Sequence, residues 1–286
     1  GHSLAMSLAS SGLSPAAKLA HNFSGLESIK QIKSTREKIS TKEFLDGLLE
    51  KFKALHEILL TSPLQLLTIA EAEEQEKAIS VLDSIWTNSY NNSNNQTSFF
   101  LPETRMKLTE AWTTSTQVNF CAKAFPTVPS INEDNAILHV LAGYLRNGFL
   151  HRAIREQGGA YGGGASQDSN SASFRFFSYR DPRLTETLDD FDRSLDWLNT
   201  ATHENYQLEE AILGVVATLD RPASPAGEAK QAFYSKLFGN FLATRKAFRD
   251  NVLSTKFSDL IRVSEKYFKP SNASTGVITN TESIQK

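Results

Sequence analysis

The sequence is short of cysteine: Cys121 is the only one, so no disulfide can close within the chain. That excludes the stapled architecture of small secreted domains and favours a compartment without disulfides, either cytoplasm or an organelle matrix. Charge of one sign is also lacking. The net charge is -2, with no basic field of the kind that attracts nucleic acid or an acidic membrane surface. No apolar run approaches the roughly 18 residues that a membrane-spanning helix needs. The opening Gly1-His2-Ser3-Leu4-Ala5-Met6 has neither the basic nor the hydrophobic stretch of a signal peptide. Gly1-His2 reads as a cloning remnant, and the chain as a piece of something longer.

Metal and phosphate motifs are missing too. The six histidines are His2, His21, His56, His139, His151 and His203. None stands in H-x-x-E-H or H-E-x-x-H, and none has a partner at i+4. His139 and His151 share an expected helix but lie more than about three turns apart, too far to hold one ion. No G-x-x-x-x-G-K-[ST] and no G-x-G-x-x-G register is present. No serine sits in a nucleophile-elbow motif.

What is present suffices for a folded core: 286 residues, 40% hydrophobic and 22% charged. Residues 14–36 read weakly as helix. Ser40 and Glu43 form an expected capping box before a stronger helix, with Phe44, Leu45, Leu48, Leu49, Phe52, Leu55, Ile58 and Leu59 at helical spacing. Leu64–Ala70 reads as a buried strand and residues 73–86 as an amphipathic helix. The Asn-rich stretch 88–98 reads as a surface loop. Thr113–Phe125 alternates as one strand. Ser130 and Glu133 offer a second capping box, for a helix running to about Gln157. Strands follow at 160–166 and 171–179, then helices at 185–199, 207–218, 228–250 and 256–268, and a last strand at 275–279. The fold class is α/β of the α+β sandwich type: a mainly antiparallel sheet, helices packed on one face, and a helical segment ahead of it. The expected domain break falls near residue 60, giving 1–60 and 61–286.

Chemistry concentrates at Leu150–Ala165, where a charged helix end runs into five glycines around one tyrosine. Gly158-Gly159 suits a helix C-cap. Gly162–Gly164 allows another backbone to come close, for instance a peptide along a strand edge, and the plainer reading is a C-cap followed by a bulged strand. Arg155 at a helix end can simply complement carbonyls and dipole, and Tyr161 can simply be a strand aromatic. Downstream, Ser173–Pro182 alternates Phe174 and Phe176 against Arg175 and Phe177. Aromatics beside arginines also occur in RNA-binding sheets. The acidic balance favours a strand buried by helices and ended by Asp181-Pro182.

The run Leu150–Ala165, the S-Y-R-D-P at 178–182 and the pattern from Leu188 to Trp197 resemble the last domain of the pitrilysin/insulinase superfamily of zinc metallopeptidases, in its presequence-protease branch. Ser24-Gly25-Leu26 and the helix near His56 are similar to the close of that family's third domain. The resemblance implies two bowl-shaped halves, each built of two related α/β domains, closing around an unfolded peptide. It places zinc on a first domain in H-x-x-E-H, so the full-length enzyme would hold zinc and this fragment none. Matched residue by residue, Arg155 and Tyr161 would be the catalytic contributions of this piece, and Gly158, Gly159, Gly162 and Gly163 its peptide-binding positions. A tyrosine hydroxyl can donate to the carbonyl oxygen where negative charge develops, and an arginine fork can bind carbonyls or a carboxylate.

The implied function is that of a C-terminal half-chamber portion of an oligopeptide-degrading metalloendopeptidase, inactive alone. Its implied partners are unfolded peptide and the zinc-bearing N-terminal half, with neither nucleic acid nor membrane. The alternative is a non-catalytic scaffold or partner subunit of the same superfamily.

Overall fold

The computed structural model describes residues 1–62, 65–86, 102 and 104–284; the expected Asn-rich loop lies outside them. The chain forms two compact units, Gly1–Ile29 with Leu101–Arg221 and Leu242–Lys286, and Lys30–Phe100 with Pro222–Phe241. The division does not fall at residue 60, because the first helix packs on the sheet.

The first unit is built on five strands: β1 (Thr109–Thr113), β2 (Phe120–Pro126), β3 (Gly162–Asp168), β4 (Ser173–Tyr179) and β5 (Ser274–Thr279). Their order is β1-β5-β2-β4-β3. Only β1 with β5 is parallel; the other three pairings are antiparallel. The single strand expected over 113–125 is two strands. The chain turns over 114–119, where Thr116 N–H donates to the Thr114 carbonyl at 2.8 Å and the Thr116 hydroxyl to that of Val118 at 3.1 Å. This bend exists because β5, from the far end of the sequence, inserts between β1 and β2. Local alternation carries no trace of that insertion.

Period-two alternation sorts the strand residues onto two faces. Cys121, Phe125, Phe174 and Phe176 join a core closed by α6 (Asp134–Leu145), α7 (Thr185–Thr200), α8 (Asn205–Leu219), α10 (Leu242–Ser254) and α11 (Phe257–Tyr267). This is the expected helical layer. The opposite face carries Ala122, Ala124 and Ile278 and takes α1 (His2–Ser10) through Ala5, Leu8 and Ala9. A Cβ at Gly276 would lie 2.7 Å from the Ala5 carbonyl oxygen and from the Ala9 nitrogen. Glycine in β5 therefore sets how closely α1 approaches.

The helix expected to run to Gln157 changes winding at Arg146. Residues Arg146–Gln157 are π-helical, with Leu150, Ala153 and Ile154 buried. The inward positions Leu145, Leu150 and Ile154 are spaced five and four apart. This is wider than an α-helix of 3.6 residues per turn would set. π-helical winding is rare, occurs mostly as single-turn bulges, and is frequent at functional sites.

Neither expected capping box forms. α6 starts after Glu133 without a side-chain cap, and Asn132 Oδ1 accepts from Asp134 N–H at 2.9 Å instead. α4 (Lys42–Thr61) starts after Thr41, one residue past Ser40, also without a side-chain cap.

The second unit contains α4, α5 (Ala72–Trp86) and α9 (Pro225–Leu237); α3 (Leu26–Lys38) begins in the first unit and ends in the second. None of the residues of α4, α5 or α9 is buried. The strand expected at 64–70 is not found: residues 65–70 lack regular structure, with Leu66, Leu67 and Ile69 exposed, and Leu64 is outside the described residues. A short apolar run becomes a strand only where a neighbouring strand can take its backbone groups, and periodicity cannot report that neighbour. The single helix expected over 228–250 is two helices, α9 and α10, with Gly239 between them at φ +69°, where helical winding stops.

Candidate functional site

The candidate site is the connection from the π-helical end to the sheet edge. Gly159 takes φ +77°, and its N–H donates to the Arg155 carbonyl at 3.1 Å, while that of Ala160 reaches back to the Ile154 carbonyl at 3.1 Å. Gly158 stays right-handed, but a Cβ there would lie 1.9 Å from Arg183 Nη2. Arg183 fills that space: it donates to the Ala153 carbonyl at 3.2 Å and pairs with the buried Asp190 at 3.0 Å. The helix-capping cation is thus Arg183. Arg155 is exposed and has no hydrogen bond or ion pair to another described side chain.

Tyr161 stands at the head of β3, 63% exposed. Its N–H donates to the Arg180 carbonyl at 3.3 Å. Its ring lies 5.6 Å from that of Tyr179, and the Arg180 guanidinium sits 5.5 Å above it. The two strand glycines are occupied from within the chain. A Cβ at Gly162 would meet Tyr179 Oη at 2.6 Å, and one at Gly163 would meet the Phe177 carbonyl and Ile154 Cγ2 at 2.9 Å. Their outer neighbour is open: β3 is the last strand of the sheet, with no described strand beyond it.

Beside β3 lies a groove of about 560 Å³ between α6, α8 and α10, lined by His139, Arg146, Ser166, Glu210 and Phe248 among others. Burial holds the His139 pKa below its ordinary value; the ring contacts Ser169 Oγ at 3.2 Å and Phe248 edge-on. On the core side, burial pushes the Cys121 thiol up to about 12, which keeps it protonated and unreactive. Among the described residues, no group of three or more His, Cys, Asp or Glu is placed to hold a metal ion, and no helix is long and apolar enough to cross a membrane.

Sequence reasoning placed Arg155 and Tyr161 on one connection but missed Arg183, Asp190 and Tyr179, which shape it. Tyr179 and Asp190 lie within the stretches that carry the resemblance, and the Asp181-Pro182 break marks where β4 stops, but neither says which side chains turn back.

A mainly antiparallel five-stranded sheet backed by a helical layer is a fold shared with solved peptidase structures. The solved structures agree on the fold. A protease from Helicobacter pylori matches 72% of this chain and 52% of its own, with TM-score 0.57 and 15% identity. Pitrilysin matches 73% of this chain and 23% of its own, with TM-score 0.56 and 12% identity. The family described as PreP C-terminal domain matches residues 109–278. The chain belongs to that family, the C-terminal domain of presequence proteases. Among curated relatives, the mitochondrial presequence protease of Yarrowia lipolytica is 30% identical over 271 residues, 93% of this chain and 27% of that protein. The chain therefore spans little more than a quarter of that relative's length.

Proposed function

We propose that this chain is the C-terminal wall of a zinc metalloendopeptidase that encloses and degrades unfolded oligopeptides. The observation that carries the reading is the freedom of its two polar groups. Arg155 is exposed without a side-chain partner because Arg183 already caps the helix, and Tyr161 is exposed at the head of an edge strand. With its polar atoms buried or hydrogen-bonded, either group would be accounted for by packing. Exposed and six residues apart on one connection, they are available to a ligand.

In this reading an extended peptide lies along β3, whose outer backbone groups can extend the sheet by one strand. Gly158 and Gly159 shape the turn that presents Arg155, and Gly162 and Gly163 keep the head of the edge low. Arg155 binds a peptide carbonyl or carboxylate through its fork of donors. The Tyr161 hydroxyl donates to the scissile carbonyl oxygen as it gains negative charge. The residues of this chain do not themselves fit a zinc ion: no ligand set converges among those described. Zinc would belong to an N-terminal half of the parent polypeptide. Residues 1–60 would then derive from the preceding domain, with α1 contributed to the sheet of the last one. The relatives' mitochondrial naming favours an organelle matrix as the compartment.

The test uses the complete parent polypeptide, wild type and Tyr161→Phe, cleaving a quenched unstructured peptide with and without a zinc chelator. The expected result is chelator-sensitive cleavage and a loss of about 10²-fold in kcat for the variant, the size of one transition-state donor. Full activity in Tyr161→Phe would make the tyrosine structural. A parent that cleaves nothing would favour the non-catalytic partner instead.

A further inference from the structure

We infer that Arg180 is a positioning residue for Tyr161, held in a disfavoured backbone conformation so that its guanidinium covers the tyrosine ring. The inference rests on the reading of Tyr161 given above. Arg180 has φ +50°, one of only two non-glycine residues with positive φ among those described. That region crowds a Cβ against the following carbonyl, and residues kept there cluster at functional sites.

Its neighbours impose the conformation. On one side, Tyr179 closes the β3–β4 ladder opposite Gly162. On the other, buried Asp181 is fixed: its N–H donates to the Asn119 carbonyl at 2.9 Å, and its own carbonyl accepts from Asn119 N–H at 2.7 Å. Its carboxylate accepts from Arg183 N–H at 2.9 Å and from the Thr187 hydroxyl at 2.8 Å. Asn119 is itself held by the Thr279 hydroxyl of β5. One residue must reverse the chain between two immobile points, and glycine would do so with less strain. The sequence places arginine there.

The arginine's placement gives its side chain a use. The backbone carbonyl of Arg180 anchors Tyr161 N–H at 3.3 Å, and the guanidinium lies 5.5 Å from the centre of the Tyr161 ring. Arg180 is exposed and forms no ion pair among the described residues. Nor does its side chain make a hydrogen bond among the described residues, whereas it does lie over the ring. Tyr179 closes the other flank, 5.6 Å away. A ring that is 63% exposed would otherwise sample several rotamers; a cation and a second ring narrow the choice. The hydroxyl is thereby aimed before a peptide arrives.

The experiment compares, in the complete parent, Arg180→Met, Arg180→Lys and Arg180→Gly, each with Tyr161 intact and with Tyr161→Phe, measuring kcat, KM and Tm. Arg180→Met is expected to lower kcat about five-fold with little change in KM, the size of an exposed cation–π contact. Arg180→Lys should recover most of that loss. Arg180→Gly should lose kcat as Met does without a lower Tm, because the strain is relieved, which separates positioning from folding. In the Tyr161→Phe background, Arg180→Met should have no further effect. If Tyr161→Phe is impaired while all Arg180 variants keep full kcat, the inference is wrong and the reading of Tyr161 stands. Equal losses in both backgrounds would make Arg180 a direct substrate contact and also overturn it. A silent Tyr161→Phe would sink the reading of the site, and this inference with it.

Discussion

The two faces of the sheet are packed by opposite means. On one, Phe125, Phe174 and Phe176 meet Phe191 and Phe268, with ring centres 4.8–6.2 Å apart in mostly tilted or edge-on pairs. Large side chains hold the helical layer off the sheet and fill the space between. On the other, Ala122, Ala124 and Gly276 remove side-chain volume so that the backbone of α1 rests almost on the strands. The aromatic face depends on filled volume, and the small-residue face on vacated volume. The same substitution chemistry should therefore act in opposite directions on the two.

The largest effect is expected on the aromatic face. Phe176→Ala empties a site touched by four other rings and should destabilise the fold by about 4 kcal/mol, read as the shift in urea unfolding. A loss under about 1 kcal/mol would mean that the layer collapses to refill the gap. On the small face, adding one methyl at Gly276 should cost about 2 kcal/mol, because backbone atoms of α1 stand in its way. The control is Gly47→Ala in α4, where a Cβ meets nothing within 4 Å and should stabilise by about 0.5–1 kcal/mol. If both alanines behave alike, α1 does not sit where Gly276 requires.

The smallest effect concerns the clamp over the aromatic face. Asp134, at the start of α6, accepts from Lys266 at 2.8 Å and Tyr267 at 2.6 Å and pairs with Arg262 at 2.8 Å. Burial alone would raise its pKa, but these partners hold it well below the ordinary carboxylate range. Its folded pKa is thus below its unfolded one. The clamp is complete above about pH 4 and is lost as pH falls below that. Asp134→Asn should cost about 1–2 kcal/mol at neutral pH and flatten the acid limb of the stability profile, checked by thermal unfolding across pH. An unchanged acid limb would show that other carboxylates govern it.

Much of this arrangement was legible in advance, and unevenly. The strand at Ser173–Tyr179 and the helices at 185–199, 207–218 and 256–268 announced themselves through a period ended by a local breaker, the strand at Gly162–Asp168 followed from its glycine run, and the division of 228–250 into α9 and α10 did not show. The aromatic face followed from alternation in Ser173–Tyr179. On the other face, Ala122 and Ala124 belong to the alternation read over Thr113–Phe125, but nothing in that alternation showed that α1 would cover them. At the site, the family pattern marked Arg155 and Tyr161. It gave no hint that Arg183, not Arg155, would cap the helix, because that choice depends on Arg183 folding back onto the Ala153 carbonyl.

By itself the sequence determined the absence of a disulfide, the lack of any zinc-ligand motif, most of the helices and strands, and the stretch where a helix end meets a glycine-rich edge. These are properties of residue types and short spacings. Tertiary structure alone decided that β5 would separate β1 from β2, that α1 would cover the far face, that the helix would widen into a π-turn after Leu145, and that Arg180 would be forced over Tyr161. Each of these depends on contact between segments distant in the chain, where the energy lies in the fit of two surfaces that no single stretch of sequence contains.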